Sequence, residues 1–338
     1  LLDPIKLLAF FIYGLVLSTR YKPSCIIASM PPIETGASAW LLARFLDKKL
    51  IIDLRDDWES SSEVQLARYI PLKLLKPFFK IANRIYSSSK AILVATPRIA
   101  DIVRRRDVYA PTISVPNGAN TAIFFPRNEN SRREIKLRYA LPLNKIVVMY
   151  CGSGGNPYYR LDTVLLSVKS LPNDAKDRIF FVFYLYGGVE SYRKMKDRLK
   201  ISDDLVEIRG PIRRGDLSEV MGASDVGLVP FDDKSYLLCA RSTKLYEYLS
   251  AGLHVISSGP RGGELDSFFS QNVDCGIFVQ PKVEDFVGAF LNVVKNAESL
   301  LENACRNLRH SFIEENYDSR KIMTKAMACL FNQNGVSK

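Results

Sequence analysis

The segment KIVVMYCGSGG, Lys145 to Gly155, reads as a short apolar strand running into a glycine turn. LDTVLLSVKSL, residues 161–171, follows with helical spacing. Strand, tight turn and covering helix form the repeating unit of a parallel sheet with helices on its faces. The turn Gly152-Ser153-Gly154-Gly155 also has a chemical reading. Backbone N–H groups freed of side chains approach a phosphate closely, although a plain tight turn uses the same residues. Gly187-Gly188 is a similar turn, where the base or ribose of a nucleotide can lie against a strand end.

The alternation continues outward from this unit. Downstream come RIFFVFYLYGG, YRKMKDRL, LVEIRGPI, DLSEVMGAS, DVGLVPF, STKLYEYLSAG, HVISSGP, GIFVQ and VEDFVGAFLNVVKNA. Upstream, PSCIIAS, KKLIIDLR, AILVAT and TISVPNG read as strands. Between them lie the helical ETGASAWLLARFL, RYIPLKLLKPFFKIANRIYSSS and RIADIVRRR. FFPRNENSRREIKLRYALPLN, residues 124–144, is polar and charged and suits a linker with one exposed helix. The expected fold is α/β, with two Rossmann-like lobes and a cleft between them. In such sheets ligands bind beyond the carboxyl ends of the strands.

Composition agrees. The chain has 338 residues, enough for about two domains at roughly 150 residues each. With 47% hydrophobic and 25% charged residues it is neither disordered nor a disulfide scaffold. Six cysteines without Cys-x-x-Cys spacing read as buried thiols of a reducing compartment, so the expected localisation is cytoplasmic. With only His254 and His310 present, a histidine metal cluster is excluded, and no bound metal is expected.

The net charge of +11 is uneven, +8 over residues 1–127 and +3 over the rest. This suits an anionic partner or simply solubility. No RNP-like or helix-turn-helix motif points to nucleic acid. Lys73, Lys76, Lys80 and Arg84 recur at helical spacing beside Leu74, Leu75, Phe78 and Phe79. That pattern suits an anionic membrane surface, and with it a peripheral place at the cytoplasmic membrane, or an ordinary surface helix. The opening run LLDPIKLLAFFIYGLVLS looks like the middle of a domain, which suggests that residues precede Leu1. As a helix, residues 5–18 span about 21 Å, short of the ~30 Å bilayer core. The expectation is a helix buried in the first domain, with a membrane-facing helix as the alternative.

No G-x-G-x-x-G follows a strand, and neither a P-loop nor an Asp-x-Asp pair is present. ARSTKLYEYLSAGLHVISS, residues 240–258, carries more information. A helix from Ser242 offers open N–H groups, and Lys244 in the first turn completes a site suited to a diphosphate. Glu247 lies on the same side and can accept two hydrogen bonds from a ribose diol. A surface Lys–Glu pair has the same spacing.

SVPNGANTAIFFP resembles the "P-N-G-V-D-x-x-x-F-x-P" hallmark of family-4 glycosyltransferases of the GT-B fold. Pro116, Asn117, Gly118, Thr121, Phe124 and Pro126 match, with Asn120 in the usual Asp place. KLYEYLSAGLHVI is similar to that family's donor segment "E-x-x-x-x-G-x-P-V-I" through Glu247, Gly252, Val255 and Ile256, with His254 in the Pro place. LDTVLLSV, DVGLVPF and ENYDSRKIMTKAMACL resemble further family elements, the last a C-terminal helix that returns to the first domain. IIDLRDDW looks like the "R-D-x-W" segment of members that make surface polysaccharides and lipid-linked sugars, matching at Arg55, Asp56 and Trp58.

The resemblance implies a first lobe over 1–126 plus a C-terminal helix at 314–338, and a donor lobe over 127–313. It implies a retaining hexosyltransferase, with no bound metal, that moves a sugar from a nucleotide-diphosphate sugar to an acceptor hydroxyl of a glycan or lipid-linked sugar. Donor binding falls to Gly152, Ser153, Arg160, Ser242, Thr243, Lys244, Glu247 and Cys239, catalysis to Asp56, and the acceptor side to Arg55 and Trp58. Cys239 stands where the family has the first Glu of Glu-x7-Glu, and Ser153 and Tyr159 replace a basic pair. These departures motivate one alternative, a non-catalytic GT-B partner protein. A GT-B nucleotide-sugar epimerase is the other, against which the P-N-G hallmark argues.

Overall fold

The structure is a computed structural model that describes residues 3–66, 69 and 71–331, without the Leu72 side chain. The chain up to Pro116, with the part from Ile322 onward, forms one unit, and Asn117–Lys321 forms the other.

The first unit runs α1 (Pro4–Tyr21), β1 (Cys25–Met30), α2 (Ile33–Phe45), β2 (Lys49–Leu54), α3 (Trp58–Leu66), α4 (Leu72–Ser88), β3 (Ala91–Val94), α5 (Pro97–Arg104) and β4 (Thr112–Ser114). Its four strands are parallel in the order β1-β2-β3-β4. The apolar runs Leu50-Ile51-Ile52 and Ala91–Val94 are buried, as strands covered on both faces must be. Every crossover steps one strand the same way, so right-handed connections put α2, α4 and α5 on one face.

The second unit holds α6 (Glu129–Arg138), β5 (Ile146–Ser153), α7 (Leu161–Ser170), α8 (Asn173–Arg178), β6 (Ile179–Tyr186), α9 (Val189–Arg198), β7 (Val206–Arg209), α10 (Arg214–Ala223) and β8 (Val226–Pro230). It continues with α11 (Thr243–Ser250), β9 (His254–Ser258), α12 (Glu264–Gln271), β10 (Gly276–Val279), α13 (Val283–Lys295), α14 (Ala297–Leu301) and α15 (Asn303–Asn316). Its six parallel strands are ordered β10-β9-β8-β5-β6-β7. The winding reverses between β5 and β8, a topological switch point. Alternate residues of β5 enter two cores. Val147 and Met149 pack with Leu245 and Leu249 of α11, while Val148 and Tyr150 pack with Val164 of α7 and Phe290 of α13.

The last helix, α16 (Ser319–Phe331), brings Ala326 onto Ile51, Leu93 and Val115 of the first unit. The division at Pro116 precedes the boundary expected at Pro126. Asn117 Nδ2 donates to the Arg241 carbonyl at 2.8 Å, and Phe124 is buried in the second unit's core. Thr121 Oγ1 donates to Asp318 at 2.6 Å, and Ala119 N to the Tyr317 carbonyl, so residues 314–321 also belong to the second unit.

The opening helix corrects the expectation of burial. α1 has no buried residue. It leans on α2, where the Ser38 hydroxyl donates to the Leu7 carbonyl and Phe11 meets Phe45 edge-on. A largely apolar helix that packs mainly on one neighbour leaves other faces open, here Ile5, Leu8, Ile12, Tyr13 and Val16. Among the described residues no helix is long and apolar enough to cross a membrane.

Candidate functional site

The candidate donor residues converge at the switch point of the second sheet. β5 ends on Gly152-Ser153 and the neighbouring β8 on Pro230. The chain after the glycine turn folds back over β8. Arg160 N donates to the Pro230 carbonyl at 2.8 Å, Asp232 N donates to the Tyr158 carbonyl, and Tyr159 stacks on Phe231 with ring centroids 4.9 Å apart.

α11 begins beside this turn. Ser242 is its N-cap, but the hydroxyl makes no capping bond, and of the first turn the Leu245 N–H donates to the Ser242 carbonyl at 3.1 Å. Lys244 Nζ donates to the Tyr159 hydroxyl at 2.8 Å and lies over the Tyr159 and Tyr150 rings, 4.0 and 5.1 Å from their centroids. A Cβ on Gly152 would stand 2.9 Å from Lys244 Nζ and 2.7 Å from the Tyr150 hydroxyl. A side chain at position 152 would therefore push the ammonium or the Tyr150 hydroxyl aside where they cross the strand end. Glu247, one turn on, has a largely buried side chain with Arg214 at 3.8 Å. Burial raises its carboxyl above the usual range, opposed by Arg214 and Lys244.

Other expected residues sit differently. Arg160 is held by Asp162, at 3.0 and 3.2 Å, and by Asp232 at 3.3 Å, so two carboxylates already compensate its charge. Cys239 is buried. A Cβ on Gly188 would meet Gly154 backbone at 2.8 Å, so the two glycine turns pack on each other. Gly155 remains open. Sequence reasoning did not single out the tyrosine cage of Tyr150 and Tyr159; its visible signal is the Tyr158-Tyr159 pair in the place of a basic residue.

In the first unit, Asp56 follows β2 at the carboxyl end of the strand. Arg55 turns inward, with Nε 2.8 Å from Asp53 and a bond of 2.9 Å to the Val115 carbonyl. Trp58 is a packing residue, with Nε1 donating to the Tyr86 hydroxyl at 3.0 Å and its ring edge-on to Phe79. Asp57 caps α3 by accepting from Ser60 N at 3.3 Å. Arg106 lies 3.7 Å from Asp57 and pairs with buried Glu59. Asp56 keeps an exposed face, and its carboxylate has no hydrogen-bond or ion-pair partner among the described residues. Partial desolvation raises its carboxyl, opposed by Arg55 and aided by the Asp57 charge.

In α4, Lys73, Lys76, Lys80 and Arg84 are exposed. Leu75 is buried and Phe79 is occupied by Trp58, so the stripe is cationic more than apolar. Arg68 and Ile70 of the expected helix lie outside the described residues. Among the described residues no group of three or more His, Cys, Asp or Glu is arranged to hold a metal ion.

No protein-family model and no curated protein sequence matches the chain. Solved structures do. Sucrose-phosphate synthase from Thermosynechococcus elongatus is similar with a TM-score of 0.76 at 17% identity, over 97% of this chain and 77% of that one. A glycosyltransferase from Rickettsia africae matches with a TM-score of 0.73 at 14% identity, over 99% and 83%. Anabaena HepE, solved in complex with UDP, matches with a TM-score of 0.69 at 12% identity, over 95% and 81%. The fold is that of the GT-B glycosyltransferases, with two Rossmann-like lobes.

Proposed function

We propose that the protein is a glycosyltransferase that moves a sugar from a nucleotide-diphosphate donor to an acceptor hydroxyl. The observation that carries this reading is the convergence of Gly152, Lys244 and Glu247 at the switch point of the second sheet. The open N–H groups of α11 and the Lys244 ammonium face the diphosphate, and Glu247 accepts the ribose hydroxyls. Charge accumulates on the leaving diphosphate as the bond from the anomeric carbon breaks, and these fixed donors stabilise it. Arg160, already paired with two carboxylates, serves to hold the loop.

In this reading the enzyme is a retaining member of family 4. The acceptor oxygen attacks on the face that the diphosphate leaves, and Asp56 orients that hydroxyl. The acceptor is a glycan or a lipid-linked sugar, and the α4 stripe meets the anionic surface that carries it. The protein then works in the cytoplasm or at the inner face of its membrane.

Calorimetry with UDP and GDP tests the donor assignment. Glu247→Ala weakens binding of the preferred nucleotide by roughly 1.5–3 kcal/mol, the range of a charge-assisted hydrogen bond. Lys244→Ala weakens diphosphate binding while leaving nucleoside binding unchanged. Unchanged affinity in both variants defeats the assignment.

A further inference from the structure

An open surface depression lies at the opposite, amino-terminal edge of the second sheet, with a volume of about 470 Å³. β5, with eight residues, separates it from the Gly152 turn by about 23 Å of extended chain. Arg132 and Lys136 of α6 line it together with Asp225, which immediately precedes β8.

Around Asp225 the buried charges do not balance. Arg132 pairs with Asp225, Lys136 Nζ lies 3.5 Å from the same carboxylate, and Arg306 lies 3.7 Å from it. Three cations share one carboxylate, although Lys136, Arg306 and Asp225 are each more than nine-tenths buried. Arg306 settles part of its demand on the carbonyls of Ser224 and Gly222, at 2.9 and 2.8 Å. Lys136 has one long bond for three donor hydrogens, and Arg132 Nε is buried without a partner. A buried cation is costly unless an anion or acceptor compensates it. Burial lowers the Lys136 ammonium, and Arg132 and Arg306 lower it further, against the opposing pull of Asp225.

At the mouth, Arg178 is exposed and has no ion pair among the described residues. Exposed Glu298 and Glu302 also line the depression, and a carboxylate accepts hydroxyl hydrogens. We propose that this depression binds a phosphate-bearing small molecule, the phosphate on Lys136, Arg132 and Arg178 and its hydroxyls toward Glu298. The site is distinct from the one at the switch point and does not depend on the function proposed for it.

Melting and calorimetry with inorganic phosphate and with ribose 5-phosphate, at an ionic strength held constant with chloride, test this. In the Lys244→Ala variant both probes are still expected to raise the melting temperature, and tighter binding of the ester than of phosphate there, lost in Glu298→Ala, assigns Glu298 to ligand hydroxyls. Arg178→Ala, on the exposed rim, weakens binding about tenfold or more, as loss of a charge-assisted contact requires. Lys136→Met does the same, and if that variant does not fold, the rim variant decides. Lys244→Ala removes only the part of the response that belongs to the switch-point site and leaves the Arg178-dependent part, which separates the two sites. The proposal fails if neither probe stabilises beyond chloride, if Arg178→Ala binds like the parent protein, or if Lys244→Ala abolishes binding.

Discussion

In the second unit the sheet reverses its winding between β5 and β8, whereas in the first the strands follow one another as β1-β2-β3-β4. Both sheets come from the same strand–turn–helix repeat, yet their carboxyl edges differ in chemistry. At the reversal the turn after β5 and the start of α11 meet, and Gly152, Lys244 and Glu247 come together. After β2, by contrast, Arg55, Asp57 and Trp58 are tied into Asp53, α3 and Tyr86, and the Asp56 carboxylate has no hydrogen-bond or ion-pair partner among the described residues. A parallel sheet gathers side chains from distant segments where its order switches, and elsewhere each loop serves mainly its own strand.

That contrast breaks most sharply at Asp56. Asp56→Asn is expected to cut turnover by about 10²-fold or more while nucleotide affinity and melting temperature stay near the parent values. Turnover per folded molecule close to parent would make the first unit's edge purely structural.

Gly152→Ala sharpens the other side. The added methyl group meets the Lys244 ammonium and the Tyr150 hydroxyl, so nucleotide binding is expected to fall about tenfold as the cage shifts, on the scale of one charge-assisted contact. Gly155→Ala, where a Cβ meets open space, has little effect on the same titration. Equal behaviour of the two variants would mean that the glycine turn is not shaped by the lysine.

The α4 stripe offers a smaller effect. Vesicles containing anionic lipid should float the protein at low salt, each basic side chain contributing about 1 kcal/mol near such a surface. Changing Lys73, Lys76 and Lys80 to Gln should lose that flotation without loss of folding. Absence of binding by the unaltered protein would remove the membrane from the first unit's role.

An effect on stability rather than on binding concerns His254, buried in β9 with no partner for either ring nitrogen among the described residues. Burial pushes its imidazole down to about 3, with Arg309 adding to the effect. The folded state therefore resists protonation more than the unfolded chain does. The stability this group confers is complete above about pH 6.5 and is lost as pH falls toward 3, at up to about 1.4 kcal/mol per pH unit. His254→Val should flatten that decline and raise the melting temperature at pH 5 more than at pH 7. A difference between parent and variant that does not change with pH would show that the imidazole does not titrate on unfolding.

The sequence by itself determined the α/β class, the alternation in both units, the start of α11 near Ser242 and its end at Ala251. Apolar runs, glycine turns and caps are local signals, and the backbone obeys them locally. Strand order was beyond its reach, because order depends on pairings between residues far apart in the chain. So were the quenching of Arg160 by Asp162 and Asp232, the tyrosine cage around Lys244 and the inward turn of Arg55. A charged residue in a sequence shows only its charge, and its neighbours in space decide whether that charge is spent on the fold or left for a ligand. α1 makes the same point for apolar residues. Its sequence reads as core, but the tertiary structure packs it mainly on α2, and a largely apolar helix cannot bury all its faces against one neighbour.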